Sequence, residues 1–167
     1  MTEKGYKRIG EFFGRHSVMC AALKLVYKYL PYPVFVAYPS LLVYLFFQYG
    51  FLSREFSRVL IVPAVVFLGV TLFRKVFDRQ RPYEKFDIEP IVHKDKKGQS
   101  FPSRHAASEF IIAMAFLYIN PVLGIVLLGV GAVMCVSRVL CAVHFIKDVS
   151  VGAAVSVLVG YIGFFLL

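Results

Sequence analysis

The chain has 167 residues, a length that suits one compact unit over 1–167, and 59 % of them are hydrophobic, with a mean hydropathy of +0.70. Soluble domains run at roughly 45–50 % apolar residues. A soluble protein of this length has too little interior to hide the surplus, so the solvent around much of the chain is lipid. Lys and Arg number 19 against 10 Asp and Glu, a net charge of +9. In a membrane protein that excess reports topology, anionic headgroups or an anionic substrate. No nucleic-acid partner is expected, and the composition carries no signal for oligomeric state.

The first sixteen residues are polar and basic, with Lys4, Lys7, Arg8 and Arg15 and no small-residue cleavage site after an apolar core, so no cleavable leader is expected. Ser17–Leu30 is apolar but holds Lys24 and Lys28, four apart on one helical face. An interfacial amphipathic helix and a short snorkelling span both fit it. A span needs roughly 17–25 mainly apolar residues. Pro31–Gly50 and Ser57–Phe73 meet that requirement, and a polar stretch follows from Arg74 to Ser103. Hydrophobicity resumes at Ala106–Tyr118, turns at Asn120-Pro121, returns through Val122–Val136 and closes with Phe145–Leu167. The expected fold is all-α: a polytopic membrane bundle of six helices, five clear spans plus the N-terminal segment. Cys20, Cys135 and Cys141 are odd in number, lack a CxxC pair and lie in apolar stretches, so they read as packing residues.

Membrane winding brings distant residues together. The span ending at Phe73 and the one starting near Arg104 meet the same face, because a polar loop joins them. The next pair leaves that face and comes back near Arg138, and the last span departs from it near His144. Four segment ends therefore converge, carrying Arg74, Arg81, Ser103, Arg104, His105, Arg138, His144 and Asp148. Several guanidinium groups at one place suit phosphate oxygens, which they bind through paired charge-assisted hydrogen bonds. His144 and Asp148 are four apart on one helical face. The carboxylate can fix one imidazole nitrogen as N–H and leave the other free to attack phosphorus. Ser103 fits an N-cap whose free backbone N–H groups attract anions. His105, one residue into the first turn of that helix, can protonate a leaving alkoxide. Two His with one nearby carboxylate, and no HExxH or Cys/His cluster, argue against a metal site. No cofactor is expected.

These residues carry a resemblance. Ser137 to Asp148 reads S-R-V-L-C-A-V-H-F-I-K-D, Pro102 to His105 reads P-S-R-H, and Arg74 to Pro82 reads R-K-V-F-D-R-Q-R-P. The set resembles the three motifs of the type 2 phosphatidic acid phosphatases, Lys-x6-Arg-Pro, Pro-Ser-Gly-His and Ser-Arg-x5-His-x3-Asp, in the same order. That resemblance implies His144 as the nucleophile forming a phosphohistidine, Asp148 as its orienting carboxylate and His105 as the acid for the leaving group. It implies Arg74, Arg81, Arg138 and Ser103 as phosphate ligands, and no metal. Two positions depart from the pattern. Arg74 stands where the family has Lys, with Lys75 one residue out of register as a stand-in. Arg104 replaces Gly, and either contacts a second phosphate or headgroup or projects into solvent. Glu109, a carboxylate inside an apolar span, lies four residues after His105 and either favours its protonated form or bonds a neighbouring helix.

The resemblance implies a lipid phosphatase in a bacterial plasma membrane, with a lipid phosphate as partner. Undecaprenyl diphosphate, phosphatidylglycerol phosphate and phosphatidate are all open as substrates, and a lipid-linked phosphotransferase using the same phosphohistidine is the alternative. The loop Tyr83–Gln99, with Lys94, Lys96 and Lys97, is the one sizeable polar element able to gate a headgroup. A basic N-terminus suggests a cytoplasmic start. Six crossings would then place the site outside and five would place it inside; the family's six-helix core implies the external face.

Overall fold

A computed structural model describes residues 1–94 and 96–167, and among these every regular element is helical. In chain order they are α1 (Glu3–Arg15), α2 (Ser17–Tyr29), α3 (Pro31–Tyr49), α4 (Arg54–Val76), the short α5 (Pro82–Lys85), α6 (Arg104–Ile119), α7 (Pro121–Leu140) and α8 (Ile146–Tyr161), which ends in a π-helical turn at Ile162–Leu166.

Helix boundaries follow local chemistry. The side chain of Ser53 caps α4 by accepting from the Phe56 N–H at 3.2 Å, and that of Asn120 caps α7 through the Leu123 N–H at 3.1 Å. Pro121 takes the first position of α7, where its missing N–H costs nothing. Pro63 lies inside α4 and removes the partner of the Val59 carbonyl; Tyr38 of α3 donates to that oxygen at 2.9 Å. In lipid a freed backbone carbonyl needs such a donor from a neighbouring helix. Arg58 does the same at the far end of α8, donating to the Phe164 carbonyl at 3.2 Å.

Among the described residues four helical runs are long and apolar enough to cross a membrane: 17–49, 54–76, 121–140 and 146–166. Their outer faces leave Val36, Val43, Phe47, Ile61, Leu68, Ile125 and Leu158 exposed, as a lipid-facing surface requires. At 16 residues α6 is shorter, and it is the central helix: ten of its residues, Ala106–Glu109 and Ile111–Phe116, are buried. Its small side chains admit close neighbours. Gly152 and Gly160 of α8 let that helix approach closely, since a Cβ on Gly152 would lie 2.7 Å from the Ser103 carbonyl oxygen and one on Gly160 would lie 2.8 Å from Met114 Cβ.

The N-terminal segment takes a form that decides the winding. Leu30 keeps helical dihedrals, so α2 runs into α3 as one 33-residue helix without turning back. At 1.5 Å per residue such a helix is roughly 50 Å long, well beyond a ~30 Å hydrocarbon core. The excess is α2, which stands on the site face: Leu23 and Tyr27 pack with Cys141 and Val143 beyond the end of α7. Helix α1 lies there too, with Tyr6 buried against Ala142 and Phe145. The sequence thus yields the expected six apolar helices, but the first is an extension of the second. The N-terminus and the converging helix ends share one face, so the expectation of an external site opposite a cytoplasmic N-terminus loses its premise.

Candidate active site

The turn between α7 and α8 sets the geometry. Ala142 sits at φ 58°, a left-handed position that non-glycine residues seldom take, and reverses the chain. The Arg138 carbonyl then accepts from both Val143 N–H (3.1 Å) and His144 N–H (3.3 Å). This folds His144 inward until only 2 % of it is exposed. Its Nδ1 faces the Asp148 carboxylate, with Oδ2 at 3.7 Å, and the Ser100 hydroxyl at 3.5 Å. Nε2 is the nitrogen left for the cavity. Asp148 Oδ2 is fixed by the Ser100 hydroxyl at 2.5 Å and by the Phe145 N–H at 3.0 Å. Burial pushes the His144 imidazole down to about 4, against the pull of Asp148 and with Arg81 and Arg74 adding to the shift. The ring is neutral at ordinary pH and carries a free lone pair.

The neighbouring elements bring the cations. At the end of α4, Arg74 Nη1 donates to the Pro102 carbonyl at 2.8 Å. Arg81, just ahead of α5, donates through Nε to the Gly98 carbonyl at 3.0 Å and through Nη1 to the Val143 carbonyl at 3.5 Å. The loop that supplies the Pro102 and Gly98 carbonyls is pinned by acidic residues: Glu84 accepts from the Gly98 and Arg81 N–H groups, and Asp78 accepts from Gln99 N–H at 2.9 Å. Ser103 caps α6 by accepting from the Ala106 N–H at 3.4 Å, while its own N–H donates to the Asp148 carbonyl at 2.8 Å. That bond ties the start of α6 to the first turn of α8. Arg138 is 4 % exposed and lays its guanidinium over the Tyr27 ring at 4.2 Å.

These groups enclose a cavity of about 190 Å³ lined by Arg74, Arg81, Arg104, His105, Arg138 and His144, together with Tyr27, Val143, Lys94 and Lys96. His105 lies among Arg138, His144, Arg104 and Lys94. Arg74 lines the chamber, and the exposed Lys75 does not. Arg104 lines the chamber as well, with its guanidinium 5.7 Å from the Phe67 ring centre, so it does not simply point to solvent. Ser103, expected as a phosphate ligand, is fully buried and does not line the chamber; its hydroxyl oxygen accepts in the α6 cap. Lys94 and Lys96 also line the chamber; Lys97 does not. Cys20, Cys135 and Cys141 are all free thiols. Among the described residues no three His, Cys, Asp or Glu side chains gather as a metal-ligand set.

Glu109 departs from expectation. It is 1 % exposed, and neither carboxylate oxygen has a hydrogen-bond partner, so the anticipated contact with His105 is not made. The side chain lies instead within electrostatic reach of Arg138 and Cys135 of α7. Three residues were invisible to sequence reasoning. Ser100 holds Asp148, yet a lone serine in a polar loop has no periodicity to mark it. Tyr27 stacks on Arg138 from a helix whose role was open. Tyr6 donates from α1 to the His144 carbonyl at 3.2 Å, with burial and then the Asp148 charge pushing its hydroxyl up to about 12, so it stays a donor.

Comparison with known proteins adds the following. The family model of the PAP2 superfamily matches residues 55–166. Among solved structures, Aquifex aeolicus LpxE superposes with a TM-score of 0.72 at 22 % identity, covering 96 % of this chain and 92 % of that one. A PAP2-type phosphatidylglycerolphosphate phosphatase from Bacillus subtilis superposes with a TM-score of 0.62 at 22 % identity, covering 96 % and 83 %. These two likenesses speak to the fold. No curated protein sequence matches the chain.

Proposed function

The chain belongs to the PAP2 superfamily and is a membrane-embedded phosphatase, and we propose that it removes phosphate from a lipid through a phosphohistidine formed on His144. One observation carries this reading: a buried, neutral His144, backed by Asp148, shares a single chamber with four guanidinium groups and a second histidine. Arg74, Arg81, Arg104 and Arg138 would hold the phosphoryl oxygens, whose charge is spread in the transition state, so fixed cations supply much of the acceleration.

In the first step the Nε2 lone pair forms a bond to phosphorus while the bond from phosphorus to the lipid oxygen breaks. That oxygen leaves with the bonding pair and takes a proton from His105; burial and then Arg138 hold this imidazole well below its ordinary value, so its charged form depends on the negative charge of the bound phosphate. The imidazolium that results is stabilised by Asp148, itself held by Ser100 and the Phe145 N–H. In the second step water attacks the phosphohistidine, His105 takes back a proton, and inorganic phosphate departs as His144 is restored. The lone pair required of the nucleophile is available at neutral pH, because burial pushes the imidazole down to about 4.

The substrate is a phosphorylated membrane lipid: undecaprenyl diphosphate, phosphatidylglycerol phosphate or phosphatidate. A phosphotransferase using the same intermediate differs only in the acceptor, and release of phosphate with water alone separates the two. We place the protein in a bacterial plasma membrane, with the site on the face that carries the N-terminus.

The test is purified protein offered a panel of lipid mono- and diphosphates with EDTA present, beside His144→Ala. Wild-type activity should survive the chelator, and the variant should lose roughly 10³-fold or more, as removal of a nucleophile generally does. Activity that collapses in EDTA, or that persists in the variant, overturns the mechanism.

A further inference from the structure

The phosphate chamber is small. Pockets for whole ligands run at roughly 300–1,000 Å³, whereas this one holds about 190 Å³, enough for a phosphoryl group but not for what it leaves behind. A second cavity of about 310 Å³ adjoins it, sharing Tyr27, Lys94, His105 and Arg138 as a common wall. Its remaining lining comes from the α2–α3 helix: Lys28, Pro31, Tyr32 and Phe35. All four precede residue 55, where the match to the superfamily begins.

The chemistry of the shared wall is specific. Tyr27 has Arg138 4.2 Å and Lys94 5.7 Å from its ring centre. Tyr27 is 5 % exposed and Arg138 is 4 % exposed, and although the two side chains act on one another electrostatically, among the described residues neither the Tyr27 hydroxyl nor Arg138 Nε has a partner in hydrogen-bond geometry. Two buried donors left open at one junction, next to the ammonium groups of Lys28 and Lys94, call for an anionic acceptor. His105, which the proposed mechanism places on the leaving-group side, faces both cavities. Phe35 continues the wall into an apolar groove of about 300 Å³ between α3, α4 and α6, lined by Tyr38, Leu42, Leu60 and Phe67 among others. The order along the protein is therefore phosphate chamber, cationic anteroom, apolar groove.

The geometry points to a second anion subsite, formed by Tyr27, Lys28, Lys94 and Arg138, that takes a negatively charged group on the leaving-group side of the scissile bond. This rests on the phosphatase reading and narrows it. The preferred substrate carries a second anionic group between its reacting phosphate and its tail, either the inner phosphate of a diphosphate or the phosphodiester of a headgroup. A lipid monophosphate with a neutral leaving group leaves the anteroom cations unmatched.

Two matched substrate pairs and one variant test it. Geranylgeranyl diphosphate is compared with geranylgeranyl phosphate, and phosphatidylglycerol phosphate with phosphatidate, on the wild type and on Lys28→Gln, a residue that lines the anteroom and not the phosphate chamber. Lys28 is exposed, so the variant should fold. The doubly anionic member of at least one pair should show a kcat/KM about tenfold higher on the wild type. The variant should erase that advantage while changing the monoanionic member less than about twofold. Preference confined to the first pair identifies a diphosphate, and preference confined to the second identifies a headgroup phosphodiester. Equal kcat/KM within both pairs, or a variant that lowers both members alike, overturns the subsite while leaving the phosphatase standing. Absence of phosphate release from every member by the wild type overturns the underlying reading instead.

Discussion

The helices that carry the chemistry and the arm that covers them are built on different principles. Around the site α4, α6, α8 and the loop that leads into α6 are cross-tied by buried polar bonds: Ser103 N–H to the Asp148 carbonyl, Ser100 to Asp148, Arg74 to the Pro102 carbonyl and Ser156 to the Ala107 carbonyl. Each of these joins segments distant in sequence, and together they over-determine where His144 and Asp148 stand. The arm α1–α2 is fastened more lightly. Among the described residues the Tyr6 bond to the His144 carbonyl, the cations of Arg138 and Lys94 over the Tyr27 ring and two small apolar clusters hold it, and much of α2 stays exposed, including Val18, Met19 and Leu25. The lesson is a division of labour: reacting groups need fixed positions, so they sit where many constraints meet. Groups that meet the rest of the substrate tolerate a looser mount.

That contrast can be broken at several points. The largest effect is expected from Ser100→Ala, which removes the hydroxyl from Asp148. A hydrogen bond to a charged group contributes about 1.5–3 kcal/mol, so kcat should fall roughly ten- to a hundredfold, with circular dichroism and Tm close to wild type. An unchanged kcat would mean that the Phe145 N–H alone orients the carboxylate.

Next comes a pair of glycines. A Cβ on Gly152 would stand 2.7 Å from the Ser103 carbonyl oxygen, at the site end, and one on Gly124 would stand 2.3 Å from Leu117 Cα, at the distal turn. Each alanine should cost about 1–3 kcal/mol by overpacking, visible as a lower Tm in detergent. Gly152→Ala should in addition lower kcat about tenfold by displacing the α6 cap, since small misplacements at a reacting centre are expensive. Gly124→Ala should keep kcat per folded molecule. Equal kcat losses would show that the bundle transmits strain along its whole length.

The smallest effect belongs to the arm. Tyr6→Phe removes one neutral hydrogen bond, about 0.5–1.5 kcal/mol. Amide exchange in α1 should quicken while kcat stays within about threefold of wild type. A collapse of kcat would place α1 inside the rigid set and remove the contrast.

Much of this was legible in the sequence because lipid imposes simple rules. Apolar runs of membrane length must be helices, and a polar loop between two of them forces their ends onto one face. Winding alone therefore gathered Arg74, Arg81, Ser103, Arg104, His105, Arg138, His144 and Asp148, and the structure lines one chamber with these residues except Asp148, which stands behind His144, and Ser103, which caps α6. The sequence by itself determined the helical class and the chemical inventory of the site, since hydrophobic length and membrane winding depend on residue order alone. Only the tertiary structure decided the rest. Whether Leu30 and Pro31 make a turn or continue a helix depends on dihedrals that composition leaves open, and this choice put the N-terminus beside the site. The partner of Asp148, the isolation of Glu109 from His105 and the placing of Tyr27 against Arg138 each depend on which way one side chain points. Such directions are fixed by packing between segments far apart in the chain, which no local pattern encodes.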